Sequence, residues 1–241
     1  MNPPNPFAYS WTQTPPAHRA APARVTTSRT ELLHLGVSFA VLTACFYLIL
    51  SRNVLLGGGG GFPGGPLIQL PVAGVTALTG FVAHELAHKV TAQRRGYWAE
   101  FRASPYGLVF ALIVSTTIGF LFAAPGATMV GGIPQNDEDG WGRTSIAGPA
   151  TNAGFAAIFY GGAVLVELWT ASALVVYSLL FLAYINAWFG TFNLIPFGAL
   201  DGRKVYLWDR GRWAVAMSGM AAASVLTFLA LYEYASPFLG R

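Results

Sequence analysis

Polar and apolar positions along this chain fall in blocks rather than alternating residue by residue. Apolar runs cover about 32–50, 67–91, 106–124, 144–168, 171–195 and 213–234. No charged residue falls between Arg52 and Glu85 or between Arg102 and Asp137, and from Thr144 to Leu200 only Glu167 is charged. A membrane-spanning helix needs about 20 predominantly apolar residues. The pattern therefore predicts an all-α polytopic membrane protein, a bundle of transmembrane helices. Residues 1–30 differ, with Pro3, Pro4, Pro6, Pro15, Pro16 and Pro22 and little periodic hydrophobicity, which predicts a disordered tail. The tail lacks the basic stretch followed directly by an apolar core that marks a cleavable signal. Between the first two runs, "LLGGGGGFPGGP" reads as a flexible connector, because it lacks the lysine of a phosphate-binding loop. Neither an internal repeat nor a soluble domain is visible.

Composition sharpens the class. Of 241 residues, 54% are hydrophobic and 10% charged, where soluble domains run near ~25% charged. The net charge of +4 does not point to nucleic acid, because the basic residues sit beside apolar runs and read as orientation signals. Cys45, inside the first run, has no internal disulfide partner and reads as a small apolar residue facing lipid or a neighbouring helix.

One segment breaks the apolar logic. "GFVAHELAHKVTAQRRG" places His84, Glu85 and His88 within five residues of an apolar helix. His84 and His88 are four apart, so on a helix their imidazoles share a face. Glu85 lies beside that edge, where it can take a proton from a water held there. Two histidines and a glutamate so spaced form the HExxH arrangement of zinc peptidases. Ionisable residues at membrane depth are costly and functional by default. Catalytic zinc takes three protein ligands. His18 and His34 lie in the tail and at the start of the first run, and Asp137, Glu138 and Asp139 read as a solvated loop. Asp201 is the better third ligand: it follows "FNLIPFGALDG", where Pro196 and Gly198 break an apolar helix and let a carboxylate turn inward. Glu100 stays open as an alternative.

In this order and on apolar segments, "HELAH", "AGPATN" and "NLIPFGALDG" resemble the motifs of the site-2 protease family of intramembrane zinc metalloproteases, over about residues 67–205. "FAAPGATMV" is similar to a Pro-Gly segment that follows the zinc helix in some members. The resemblance implies Zn2+ held by His84, His88 and Asp201, with Glu85 as catalytic base. It implies that Asn193 helps hold the substrate or the oxyanion, and that Asn152 is a polar residue of the helix packed against the site. It also implies substrates that are transmembrane proteins cut in or near their own spans. The chain departs from the branch that carries a PDZ domain, since no insert could hold one. The expected division is a tail (1–30), a first span with its glycine loop (31–66), the metalloprotease core (67–205) and a C-terminal span (206–241). A membrane metal transporter using the same ligands is the main rival, although transport needs no general base; a catalytically silent scaffold of the same fold is another.

The metal reading constrains the path of the chain. The histidines lie near the end of their helix and Asp201 lies just past the end of another, so both ends must face the same side. Three apolar segments separate them, and only two of these can cross. The odd one is 106–124, where Val109, Ile113, Val114, Thr116, Thr117 and Ile118 crowd together before Gly119. It is expected to be a re-entrant, β-hairpin-like segment whose edge suits an extended substrate strand. With the N-terminus cytoplasmic, that path places 12 of the 14 lysines and arginines inside, with only Arg52 and Arg241 outside. The expected location is a prokaryotic cell membrane, with the lipid bilayer and membrane-protein substrates as partners and no nucleic acid.

Overall fold

A computed structural model describes residues 24–52, 62–119, 121, 125–134, 136–170 and 172–235. Most of the Pro-rich tail and most of the glycine loop lie outside the described residues. Helix α1 (Arg29–Arg52) opens on Ser28, whose Oγ accepts from the Glu31 N–H at 3.1 Å. Helix α2 (Pro66–Ala77) begins on proline, where a missing N–H costs nothing. It runs through a π-helical turn (Leu78–Val82) into α3 (Ala83–Arg94), the HExxH helix. Strand β1 (Trp98–Ala103), helix α4 (Pro105–Thr117) and strand β2 (Gly126–Gly131) come next. The long helix α5 (Glu138–Trp169) carries Pro149 inside it, and α6 (Ala173–Asn193), α7 (Asp201–Trp208) and α8 (Arg210–Ala235) complete the described chain.

Among the described residues, five helices are long and apolar enough to cross a membrane: Arg29–Ser51, the continuous Pro66–Arg94, Glu138–Trp169, Ala173–Asn193 and Arg210–Ala235. Large apolar side chains stay exposed along them, among them Leu165, Leu168, Val215, Leu226 and Leu229. Such faces suit lipid rather than water. The fold is that of a multi-pass membrane protein. Its core gathers α1, α2 and α6 around Leu42, Phe46, Val72, Ala73, Tyr177, Leu180 and Phe181, with α5 packed along α6.

The hairpin-like unit expected near 106–124 is present, with its two strands placed on either side of that segment rather than within it. Residues 105–117 form a 13-residue helix, and the two strands flank it at 98–103 and 126–131, paired antiparallel with Ala103 opposite Gly126 and Trp98 opposite Gly131. Without water to satisfy an open strand, a β-branched run is better served by a helix, which bonds its own backbone. Thr116 and Thr117 donate their hydroxyls back to the Leu112 and Ile113 carbonyls, which removes two further polar groups from the apolar surface. The non-crossing expectation has a direct geometric basis. Ala103 and Gly126 are register partners, so residues 104–125 leave and return at the same place. At 1.5 Å per residue α4 is about 20 Å long, short of the ~30 Å hydrocarbon core.

Candidate metal centre

The site is assembled where α3, the Gly148 turn of α5 and the start of α7 meet. His84 and His88 project from one face of α3, and their ring centroids are 4.7 Å apart. Asp201 begins α7, directly after the Leu194–Leu200 connection in which Gly198 takes a positive φ of 60°. Gly202 lets this happen, because a side chain there would strike the Leu194 carbonyl at the end of α6. The carboxylate Oδ2 of Asp201 thus lies 3.2 Å from His84 Nε2 and 3.0 Å from His88 Nε2, and the two Nε2 atoms are 3.0 Å apart. All three residues are largely buried, and their ligand atoms form the one three-residue group among the described residues able to hold a metal ion.

Partners of the outer ring nitrogens settle what those donor atoms are. His84 Nδ1 is 2.6 Å from Asn152 Oδ1. The Asn152 amide nitrogen donates to the Gly80 carbonyl at 3.1 Å and to Asn186 Oδ1 at 3.2 Å, so Oδ1 must be the side that accepts. His88 Nδ1 is 2.7 Å from the Thr144 carbonyl, which can only accept. Both imidazoles therefore carry their proton on Nδ1 and present a bare lone pair at Nε2. Two lone pairs and a carboxylate oxygen at 3.0–3.2 Å repel one another unless a cation lies among them. Three ligands at 2.0–2.1 Å from a tetrahedral zinc would be about 3.4 Å apart, close to this spacing. Two nitrogens and one carboxylate oxygen are a donor set that zinc takes readily, so the residues fit the metal.

Room for an ion comes from α5. A Cβ on Gly148 would sit 2.5 Å from both Nε2 atoms, so only glycine leaves the donors open. The π turn contributes as well. The Gly80 carbonyl within it accepts from Asn152, and the Thr79 hydroxyl accepts from Asn186 at 3.0 Å. Glu85, in the same cavity as the three donors, is bonded to β2. Its Oε2 accepts from the Thr128 N–H at 2.7 Å, and the Thr128 hydroxyl donates to the Glu85 carbonyl at 2.9 Å. A cavity of about 410 Å3 holds these groups together, lined by His84, Glu85, His88, Thr128, Asn193 and Asp201 among others.

The other sequence candidates divide between the cavity wall and its surroundings. Asn193 lines the cavity, and its amide donates back to the Phe189 carbonyl at 3.0 Å. Glu100 lies on β1 and pairs with Arg102, away from the metal donors. His34 accepts from the Ala103 N–H at the end of β1, and His18 lies outside the described residues. Asp137 caps α5 and accepts from the Tyr97 hydroxyl, while Asp139 bridges Arg95 and Arg143. Burial raises the Tyr97 hydroxyl, and that hydrogen bond holds the Asp137 carboxyl low. Sequence reading gave no place to Thr128, Thr144 or Gly148, and Asn152 does more there than pack. Thr128 and Thr144 act through backbone atoms, which no side-chain pattern records. Gly148 was visible only as part of "AGPATN".

Fold and donors together define a membrane-embedded metal centre with a carboxylate poised beside it. Comparison with known proteins places that class in a family. The chain is 30% identical over 154 residues to "Putative zinc metalloprotease MJ0611" of Methanocaldococcus jannaschii, covering 64% of this chain and 78% of that protein. It is 32% identical over 211 residues to "Putative zinc metalloprotease Rip3" of Mycobacterium tuberculosis, covering 83% of this chain and 49% of the relative. The match thus spans about half the length of the mycobacterial protein. No family model and no solved structure matches the chain. On the strength of the archaeal match, the chain belongs to the site-2 protease family of zinc metalloproteases.

Proposed function

We propose that the protein is an intramembrane zinc endopeptidase of site-2 type, cutting other membrane proteins in or near their transmembrane helices. The observation that carries this reading is the convergence of His84, His88 and Asp201 within 3.2 Å of one another inside a bundle of spans, with Glu85 in the same cavity. His84, His88 and Asp201 would hold Zn2+. When bound, the ion supplies Lewis acidity that polarises the scissile carbonyl and brings the pKa of a water to about 7. Glu85 takes the proton of the attacking water and returns it to the leaving amine nitrogen. Asn152 and the Thr144 carbonyl orient the imidazoles, and Thr128 orients Glu85. Asn193 offers its amide to the substrate backbone from the cavity wall.

Substrates of this class must unwind before attack, because helical carbonyls are bonded and shielded. The outer edge of β2 supplies an extended template: Gly126, Ala127, Thr128 and Val130 line the cavity beside Glu85. A substrate strand laid along that edge would pass the metal donors. The site lies towards the end of the membrane where Arg94, Arg95, Arg143, Arg203 and Lys204 gather, which the positive-inside rule makes cytoplasmic, together with the N-terminus. The test is cleavage of an internally quenched apolar peptide of transmembrane length by the purified protein. Cleavage should stop with a chelator and return with zinc. Full cleavage in the presence of chelator would reject the reading.

A further inference from the structure

The two-stranded sheet has two outer edges, and edge N–H groups need partners where water is scarce. At the register pair Phe101–Thr128 both N–H groups are taken by carboxylates. Thr128 donates to Glu85 Oε2 at 2.7 Å, and Phe101 donates to Glu31 Oε1 at 3.0 Å. Glu31, in the first turn of α1, is fully buried. Its other oxygen lies 2.5 Å from Lys89 Nζ, which also donates to the Thr27 hydroxyl at 2.8 Å. Lys89 stands four residues after Glu85 on α3, so the contacts close a ring. They run from Lys89 to Glu31, across β1 and β2, and back to Glu85 one turn earlier on the same helix.

We propose that Glu31, held by Lys89, is a positioning residue that sets the Glu85 carboxylate relative to the metal site through the sheet. The inference rests on Glu85 being the catalytic base. A buried ion pair adds little net stability over apolar packing, so its value lies in the geometry it fixes. Here that geometry is the seat of β1. The strands are paired along their length, so a displaced β1 carries Thr128 with it. Glu31 makes no hydrogen bond to His84, His88 or Asp201. Disturbing it should change catalysis and leave metal binding alone.

Two double variants separate positioning from bulk stability. Glu31→Lys/Lys89→Glu keeps an opposite-charge pair in place but removes the acceptor for the Phe101 N–H. Glu31→Gln/Lys89→Gln removes both charges and keeps the acceptor. Zinc content, kcat and KM on the quenched peptide, and hydrogen exchange of residues 98–103 and 126–131 are measured on each. The swap should keep zinc and KM, lose roughly a hundredfold in kcat, as misplacement by about an ångström does, and exchange faster in both strands. The double glutamine should stay near wild type. If the pair serves stability alone, the order reverses, and that result overturns the proposal; so does a zinc-loaded swap with wild-type exchange. Should the swap fail to hold zinc, Glu31→Gln against Glu31→Ala decides: only the glutamine should keep kcat, and equal loss overturns the proposal. Glu85→Gln is run alongside. If that variant still cleaves, the base assignment has failed, and hydrogen exchange still decides the positioning contact.

Discussion

Replacing Asn152 by leucine, which is similar in size and makes no hydrogen bonds, should detach the tautomer of His84 from the protein around it. Three buried bonds of 3.2 Å or less disappear: those to His84 Nδ1 at 2.6 Å, to the Gly80 carbonyl at 3.1 Å and to Asn186 at 3.2 Å. At about 1 kcal/mol each, the metal-free protein loses about 3 kcal/mol. The effect on the metal is separate. A ligating histidine freed from its orienting partner costs roughly 10–100-fold in affinity, or about 1.4–2.8 kcal/mol. Asn152→Asp divides the two terms, since it keeps an acceptor for His84 and loses the donors to Gly80 and Asn186. The assay is competition for zinc between purified protein and a chromophoric chelator, with thermal unfolding of the metal-free form measured in parallel. Leucine should weaken both; aspartate should weaken unfolding resistance and spare zinc. Wild-type zinc affinity in the leucine variant would refute the claim that Asn152 sets the tautomer.

Glu85→Gln should retain zinc and reduce cleavage at least about a hundredfold, since a general base contributes on that order or more; undiminished cleavage alongside full zinc refutes the base assignment. Gly148→Ala should lose zinc as completely as Asp201→Ala or His88→Ala, because its methyl would occupy space 2.5 Å from both Nε2 atoms; full zinc by elemental analysis in either Gly148→Ala or Asp201→Ala would reject the donor geometry. In a Cys45→Ser background, a cysteine replacing Asn136 should react with impermeant reagents only from the cytoplasmic side, and one replacing Thr170 only from the other side. Reaction of the first from outside would mean that 104–125 crosses the membrane.

Much of this was readable because the relevant chemistry is written in side chains at helical spacing. His84 and His88 announce themselves four apart on an apolar helix, and Asp201 sits where Pro196 and Gly198 end one. The unread part is carried by backbone atoms and by context. Thr144 orients His88 through its carbonyl, and Thr128 holds Glu85 through its amide; any residue type could supply the first and any but proline the second. The β-branched residues of α4 suggested strand because that preference reflects packing on a pleated surface, whereas in an apolar medium the need for backbone bonding decides. Lys89 passed as one more cytoplasmic charge, although its side chain is 1% exposed and paired with Glu31 across 58 positions of sequence. No local pattern links such distant residues.

The pairing of Ala103 with Gly126 has a consequence for how the chain tolerates change. A detour whose entrance and exit coincide can grow, shrink or be exchanged without redirecting the rest of the chain. Replacing 104–125 by a two-residue turn would join β1 and β2 as an ordinary hairpin, and every later helix would keep its direction. The region is therefore a natural graft point, where a different loop, label or recognition element could be installed beside the cavity while the donors from α3 and α7 remain on one side.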